Sequence, residues 1–225
     1  MMTLHWSPRS PFVRKVMIVL HETGLLPEVD RVRSVVAAHL PPNPNVMAEN
    51  PLGKIPTLRT AGGAALFDSR VICEYLDMRA GTGLFPAEPE ARIRQLRWQA
   101  LGDGLTDILL AWRIELTRDG APWQGMTDGW ADKVRATMQR LEAEAADLAA
   151  GPFGIGQVAV ICALGQLDFR WPDADWRAAH PALARAEVGW ARRASVAACP
   201  VENDQDEAGQ GPTRGRLAFL AGSPH

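Results

Sequence analysis

The chain has 225 residues, 47% of them hydrophobic and 22% charged, with a formal net charge of −2. That length and composition belong to a globular protein with a substantial core, built as one large domain or two small ones. Near-neutral charge gives no electrostatic basis for nucleic acid or an anionic membrane as partner, and no apolar run approaches the roughly 20 residues that span a bilayer.

Residues 3–6 are short and β-prone and predict a buried first strand. Ser7-Pro8-Arg9-Ser10-Pro11-Phe12 follows. Val13, Val16, Met17 and Leu20 then mark one face of a helix ending near Gly24, with Ser10 suited to the N-cap and Pro11 to the first helical position. A second strand is expected at 29–32. Pro41, Pro42 and Pro44 predict a loop over 35–49, with at most a short helix. Asn50-Pro51-Leu52-Gly53 is a turn, and a short apolar strand runs through Pro56-Thr57-Leu58. A Gly62-Gly63 reversal leads to a strand at 64–67, so the two strands read as a β-hairpin. Asp68-Ser69 precede Val71, Ile72, Tyr75 and Leu76, a pattern that opens a helix. The first turn of such a helix gathers unpaired N–H groups and partial positive charge, which suits a carboxylate. Taken alone, Asp68 and Ser69 are more often simple caps.

Gly83 and Pro86 mark residues 81–90 as a linker. Ile93, Leu96, Ala100, Leu101, Leu105 and Ile108 recur at helical steps and predict a helix over 91–118, which Gly102 and Gly104 are expected to weaken or bend. The pattern breaks over 120–129. Trp130, Val134, Met138, Leu141, Ala145 and Leu148 form another stripe, 158–169 is apolar nearly all round as in a central buried helix, and the last helix is expected at 181–193. Beyond Val201 the chain is rich in Gly, polar and charged residues. A disordered tail is expected over 203–225, with Leu217, Phe219 and Leu220 as its residues able to dock. Cys73, Cys162 and Cys199 are too far apart for a disulfide framework or a metal site, and a reducing cytoplasm fits them best. The first two fall on apolar helix faces and read as packing. The N-terminus lacks the basic-then-apolar layout of a signal peptide.

Asn50-Pro51-Leu52-Gly53-Lys54-Ile55-Pro56-Thr57-Leu58, then Asp68-Ser69, then Ile72-Cys73-Glu74-Tyr75-Leu76 resemble, in order and spacing, the glutathione-binding half of the glutathione transferase family. The resemblance implies a thioredoxin-like α/β domain (βαβαββα) over 1–80, the linker at 81–90 and an all-α helical bundle over 91–202. It implies that Pro56 is cis, that the backbone of Ile55 pairs with the cysteinyl part of glutathione, and that Asp68 and Ser69 hold its γ-glutamyl end. Lys54 is placed to neutralise the glycyl carboxylate. Ser10-Pro11-Phe12-Val13-Arg14-Lys15 resembles the catalytic turn of bacterial members, in which a hydroxyl contacts the glutathione sulfur; Ser7-Pro8 is a competing match. In the second half, Gly154 and Gln157 stand where the family usually has Ser/Thr-x-x-Asp opening its core helix, and Gly supplies no side-chain acceptor there.

By position, Phe12, Trp112 and Arg113 are candidates for the second-substrate pocket, and Asp103 and Asp107 for contact with the glutamyl amine of a neighbouring subunit's glutathione. The expected protein is a cytoplasmic homodimer that conjugates glutathione, as cosubstrate, to a small electrophile, with no cofactor, no metal, no nucleic acid and no membrane. Two other readings stand beside it. One is glutathione-dependent reduction of disulfides or peroxides, disfavoured by the lack of Cys in the catalytic turn. The other is a transferase-like interaction domain that has lost turnover.

Overall fold

A computed structural model describes residues 1–38, 40–203 and 217–219. The elements, in chain order, are β1 (Met2–Trp6), α1 (Pro11–Thr23), β2 (Val29–Arg33), α2 (Pro44–Glu49), β3 (Thr57–Arg59), β4 (Ala65–Leu66) and α3 (Ser69–Ala80). The helices α4 (Pro89–Thr117), α5 (Gln124–Ala143), α6 (Ala145–Ala150), α7 (Ile155–Arg170), α8 (Trp176–Ala179), α9 (Pro181–Ala191) and α10 (Ala194–Ala197) follow. The chain divides into two compact units, Met1–Leu96 with the segment from Ala194, and Arg97–Arg193 with the described residues near Leu217.

In the first unit the sheet order is β2-β1-β3-β4, with β1 parallel to β2 and antiparallel to β3. Parallel β1 and β2 need a crossover, and α1 supplies it. Its N-terminus is fixed by the Ser10 cap and Pro11, and Gly24 closes it with φ at 70°, a left-handed conformation that glycine adopts without a Cβ penalty. Leu4, Val16, Leu20, Leu58, Ile72 and Leu76 are fully buried between sheet and helices. Each such side chain contributes about 1.5–3 kcal/mol relative to its exposed state. Edge strand β2 exposes Asp30, Arg31 and Arg33, charges that discourage pairing with another chain. The proline-rich stretch does form a helix, α2, of six residues. Asn43 caps it by accepting from the N–H groups of Asn45 and Val46, and Pro44 takes the first helical position, where its missing N–H costs nothing.

The segment after α3 is fastened to it. Buried Asp77 accepts hydrogen bonds from the Thr82 hydroxyl at 2.6 Å and from the N–H groups of Leu84 at 2.9 Å and Phe85 at 3.0 Å.

In the helical unit, α4 runs as one continuous helix through Gly102 and Gly104. The reason at Gly102 is packing: the α7 backbone lies against it at Ala159. The break expected over 120–129 ends at residue 124, and Gly125 and Gly129 lie inside α5. Burial of Thr127 and Ala131 on the same helix outweighs glycine's cost of about 1 kcal/mol. The stripe that continues to Leu148 is cut at Glu144, whose carboxylate accepts from Arg97 and from Trp98 Nε1 at 2.7 Å. Arg97 foremost holds that carboxyl below its ordinary pKa. Where α4 ends, Glu115 is drawn down to about 2, first by the Arg118 guanidinium and then by the Trp123 N–H. At the start of α7 the Gln157 side chain accepts from the Gly154 N–H at 3.1 Å, so half of a reciprocal cap survives without a hydroxyl. The last expected helix is α9, and single-turn helices α8 and α10 flank it unforeseen.

The expectation of a disordered tail over 203–225 lies almost wholly outside the described residues. Leu217 is buried and the Phe219 ring meets His180 edge-on at 5.3 Å; Leu220 is not described. Among the described residues no helix is long and apolar enough to cross a membrane.

Candidate functional site

Strand direction decides which loops meet. His5, near the C-terminal end of β1, pairs with Thr57, the first residue of β3, and Leu58 pairs with Leu66, the last residue of β4. The loop leaving β1, the turn entering β3 and the connection from β4 to α3 therefore emerge at the same end of the sheet. They carry Ser7 to Ser10, Lys54 to Pro56, and Phe67 to Ser69 respectively. Three segments that are far apart in sequence are brought together by this register.

The first segment ends in a cap. Ser10 Oγ accepts from the Val13 N–H at 3.2 Å, and the Ser10 N–H donates to the Ser7 carbonyl at 3.3 Å. Accepting uses a lone pair, and the hydroxyl still has its hydrogen to give. Capping and contact with a thiolate are thus compatible for one oxygen, and the α1 N-terminus favours negative charge beside it. Ser7 is buried and Ser10 half-buried. Phe12 is half-buried, with Lys15 Nζ 5.9 Å from its ring centroid.

The second segment is built from beneath by two buried polar side chains. Asn50 Nδ2 donates to the Lys54 carbonyl and to Thr57 Oγ1, each at 3.0 Å, and its Oδ1 accepts from the Leu52 N–H at 3.0 Å. The Thr57 hydroxyl donates to the same Lys54 carbonyl at 2.9 Å. Three satisfied polar groups with almost no exposure fix the path of residues 50–57 more tightly than apolar packing alone, since leaving any of them unpaired costs about 1–3 kcal/mol. The Ile55–Pro56 bond is cis, Ile55 is buried and Lys54 is exposed.

In the third segment the Phe67–Asp68 bond is also cis, Asp68 is exposed and Ser69 is buried. Asp68 caps α3, its Oδ1 accepting from the Arg70 N–H at 2.9 Å.

The remaining candidates belong to the helical unit. On α4, Asp103 and Trp112 are buried, Arg113 is half-buried and Asp107 is exposed. Trp112 packs on Trp171 with ring centroids 5.3 Å apart. It also lines an open groove of about 640 Å³ with Thr127, Asp128, Asp132 and Arg135 of α5. Among the described residues no group of His, Cys, Asp and Glu side chains is arranged to hold a metal ion.

The contribution of Asn50 and Thr57 was visible in sequence only as part of a turn motif. His5, near the end of β1, has Ser34 Oγ at 2.8 Å from Nδ1 and Glu49 Oε2 at 3.5 Å from Nε2.

A four-stranded mixed sheet in βαβαββα order, with a cis-proline turn at the sheet end from which the loop to the first helix leaves and a helical unit after it in sequence, defines a thioredoxin-like domain joined to an all-α partner. Sequence comparison carries this further. Residues 9–79 match the glutathione S-transferase N-terminal domain and residues 115–185 match its C-terminal domain, and the chain belongs to the glutathione S-transferase family. A crystal structure of a glutathione transferase family member from Pseudomonas fluorescens Pf-5, with bound glutathione, is 42% identical. It aligns with 90% of this chain and 100% of its own at a TM-score of 0.86. A glutathione S-transferase from Methylobacillus flagellatus KT with glutathione bound is 34% identical, covering 90% of this chain and 100% of its own at a TM-score of 0.80. The uncharacterized GST-like protein YibF of Escherichia coli K12 is 33% identical over 82% of this chain and 91% of its own length.

Proposed function

We propose that the protein binds glutathione at the shared end of the sheet and transfers its thiolate to a small electrophile. The observation that carries this reading is the convergence of Ser10, the cis Ile55–Pro56 turn and the Asp68–Ser69 helix start, in a chain 42% identical to a protein crystallised with glutathione. Asp68 and Ser69 receive the γ-glutamyl end, the Ile55 backbone pairs with the cysteinyl unit and Lys54 neutralises the glycyl carboxylate. The Ser10 hydroxyl donates to the sulfur. A free thiol with pKa about 8.5 is mostly protonated at neutral pH, and a donor beside a helix N-terminus shifts it toward thiolate. The thiol proton leaves to solvent, the sulfur lone pair forms a C–S bond, and either a leaving group departs with its electron pair or an activated double bond takes up a proton.

Phe12, Trp112 and Arg113 are the candidates for electrophile contact, and Asp103 and Asp107 for contact with a neighbouring subunit's ligand. We place the protein in the cytoplasm, with glutathione as cosubstrate and no cofactor. A homodimer accounts for the large apolar side chains the first unit leaves open: Leu52, Val71, Met78 and Ile93 are 47–76% exposed. A reductase route through a protein mixed disulfide lacks a nucleophile, because Cys73, Cys162 and Cys199 are all buried.

Calorimetry with glutathione tests the reading. The wild type is expected to bind, and Asp68→Ala to bind more weakly by about 1.5–3 kcal/mol through loss of a charge-assisted hydrogen bond. A wild type with no heat of binding sinks it.

A further inference from the structure

Helix α2 is thinly packed, since Val46 is its one buried residue. Its C-terminal end is nonetheless tied to the sheet by polar contacts. Thr3 pairs with Arg59 and His5 with Thr57 across β1 and β3, so these four side chains share one face. Glu49, the last residue of α2, reaches that face. Its Oε1 lies 3.1 Å from Arg59 Nε and its Oε2 3.5 Å from His5 Nε2. The His5 ring is steadied on its other side by Ser34 Oγ at 2.8 Å, and Arg59 by Thr3 Oγ1 at 3.1 Å. The residue after Glu49 is Asn50, the side chain that holds the Lys54 carbonyl and Thr57.

We infer that Glu49, paired with Arg59 and lying beside His5, is a positioning residue for glutathione binding. It fixes the end of α2, and through Asn50 the Lys54–Pro56 turn that is to take the cysteinyl backbone. The inference rests on the proposed function for its ligand, but its mechanical part concerns the free protein. Glu49 touches no substrate in this scheme. Removing it loosens the turn and leaves Ser10 and the α1 N-terminus where they are.

The test uses Glu49→Leu, with Glu49→Gln as the conservative variant that still accepts from Arg59, and Arg79→Ala as a control for loss of an ion pair elsewhere in the unit. Glu49→Leu is expected to raise the glutathione Kd and KM about two- to fivefold, the scale of one partly exposed ion pair, with kcat unchanged. Hydrogen exchange in the ligand-free protein is expected to quicken at the amides of Leu52 and Gly53. Glu49→Gln should recover most of both effects, and Arg79→Ala should show neither. A wild type that fails to bind glutathione removes the functional reading, while quickened exchange still supports the tie between Glu49 and the turn. A wild type that binds, with Glu49→Leu unchanged in both Kd and exchange, overturns the inference. So does a fall in kcat equal to the fall in kcat/KM, together with quickened exchange throughout the sheet, because that is global loosening.

Discussion

Gly102 and Ala159 are in backbone contact: a Cβ placed on Gly102 would lie 2.5 Å from the Ala159 carbonyl carbon and 2.7 Å from its oxygen. Helix propensity alone says that Gly102→Ala gains about 1 kcal/mol. The neighbour here is backbone and cannot swing aside, so overpacking, typically about 1–3 kcal/mol and more when helices must separate, wins. Gly102→Ala is expected to lower the urea midpoint. Gly104→Ala, two residues on with nothing within 4 Å of its added Cβ, is expected to raise stability by a fraction of a kcal/mol up to about 1 kcal/mol. Equal effects of the two substitutions would contradict the packing argument.

Asp77 is expected to be the costliest polar residue of the first unit to remove. Asp77→Ala leaves the Leu84 and Phe85 N–H groups buried without their acceptor, a loss of about 2–5 kcal/mol for two orphaned donors. Asp77→Asn keeps one oxygen acceptor and should cost less. Chemical denaturation gives both values, and limited proteolysis should cut the Asp77→Ala variant first between residues 81 and 90.

What was legible in the sequence was local. The Ser10 and Asp68 caps, the Gly24 stop and the helical stripes are set by residues within a turn of one another, so reading them needs no knowledge of the fold. The same rule read residues 35–49 as a loop with at most a short helix; that short helix is α2, and Asn43-Pro44, a cap and first-position pair, opens it. Gly102 looked like a weak point because the requirement it meets comes from Ala159, 57 residues away. The residues proposed to touch glutathione lie in short motifs. The long-range contacts behind those motifs do not: Glu49 meets His5 across 44 residues, and nothing near either residue announces it.

Cys199 gives a pH prediction. Burial pushes its thiol up to about 11 against the opposing pull of Arg14 and Arg31, whereas the unfolded chain ionises near the ordinary thiol value of 9.0. Below pH 9 both states keep the proton, and the contribution to stability is fully present. Between the two values the unfolded state releases its proton first, so that stability falls as pH rises and is lost by about pH 11. Wild-type denaturation midpoints should therefore drop more steeply over this window than those of Cys199→Ala. At pH 8 iodoacetamide should leave Cys199 unmodified until denaturant is added.

Val71 and Met78 stand seven residues apart on α3, hence on one face, and are 47% and 76% exposed. If that face joins two copies about a two-fold axis, a charge at its centre meets its own copy and is unfavourable twice. Met78→Glu is expected to convert a dimer at micromolar concentration into single chains by light scattering, with the fold retained by circular dichroism. A wild type that already scatters as one chain ends the dimer reading.

Ser10 is the sharpest test because two roles meet on one oxygen. As N-cap it accepts from the Val13 N–H, and truncation to Ala is expected to cost about 0.5–2 kcal/mol of stability. As donor to the thiolate it is expected to contribute about 1.5–3 kcal/mol to the transition state, or roughly ten- to a hundredfold in rate. Ser10→Ala removes both, but Ser10→Gly separates them, since Gly at this position costs only a few tenths of a kcal/mol. Ser10→Gly should keep the wild-type denaturation midpoint and glutathione affinity, lose turnover, and move the pH–rate profile to higher pH as the thiol pKa returns toward its free value. Ser7→Ala is expected to do neither, because Ser7 meets Ser10 through its backbone carbonyl, which the substitution retains. Should Ser7→Ala give the rate loss and the pH shift while Ser10→Gly does not, the sulfur contact belongs three residues earlier. Should the wild type bind glutathione and turn over no electrophile in a broad panel, the Ser10 hydroxyl is left as a helix cap and the protein as a glutathione-binding interaction domain.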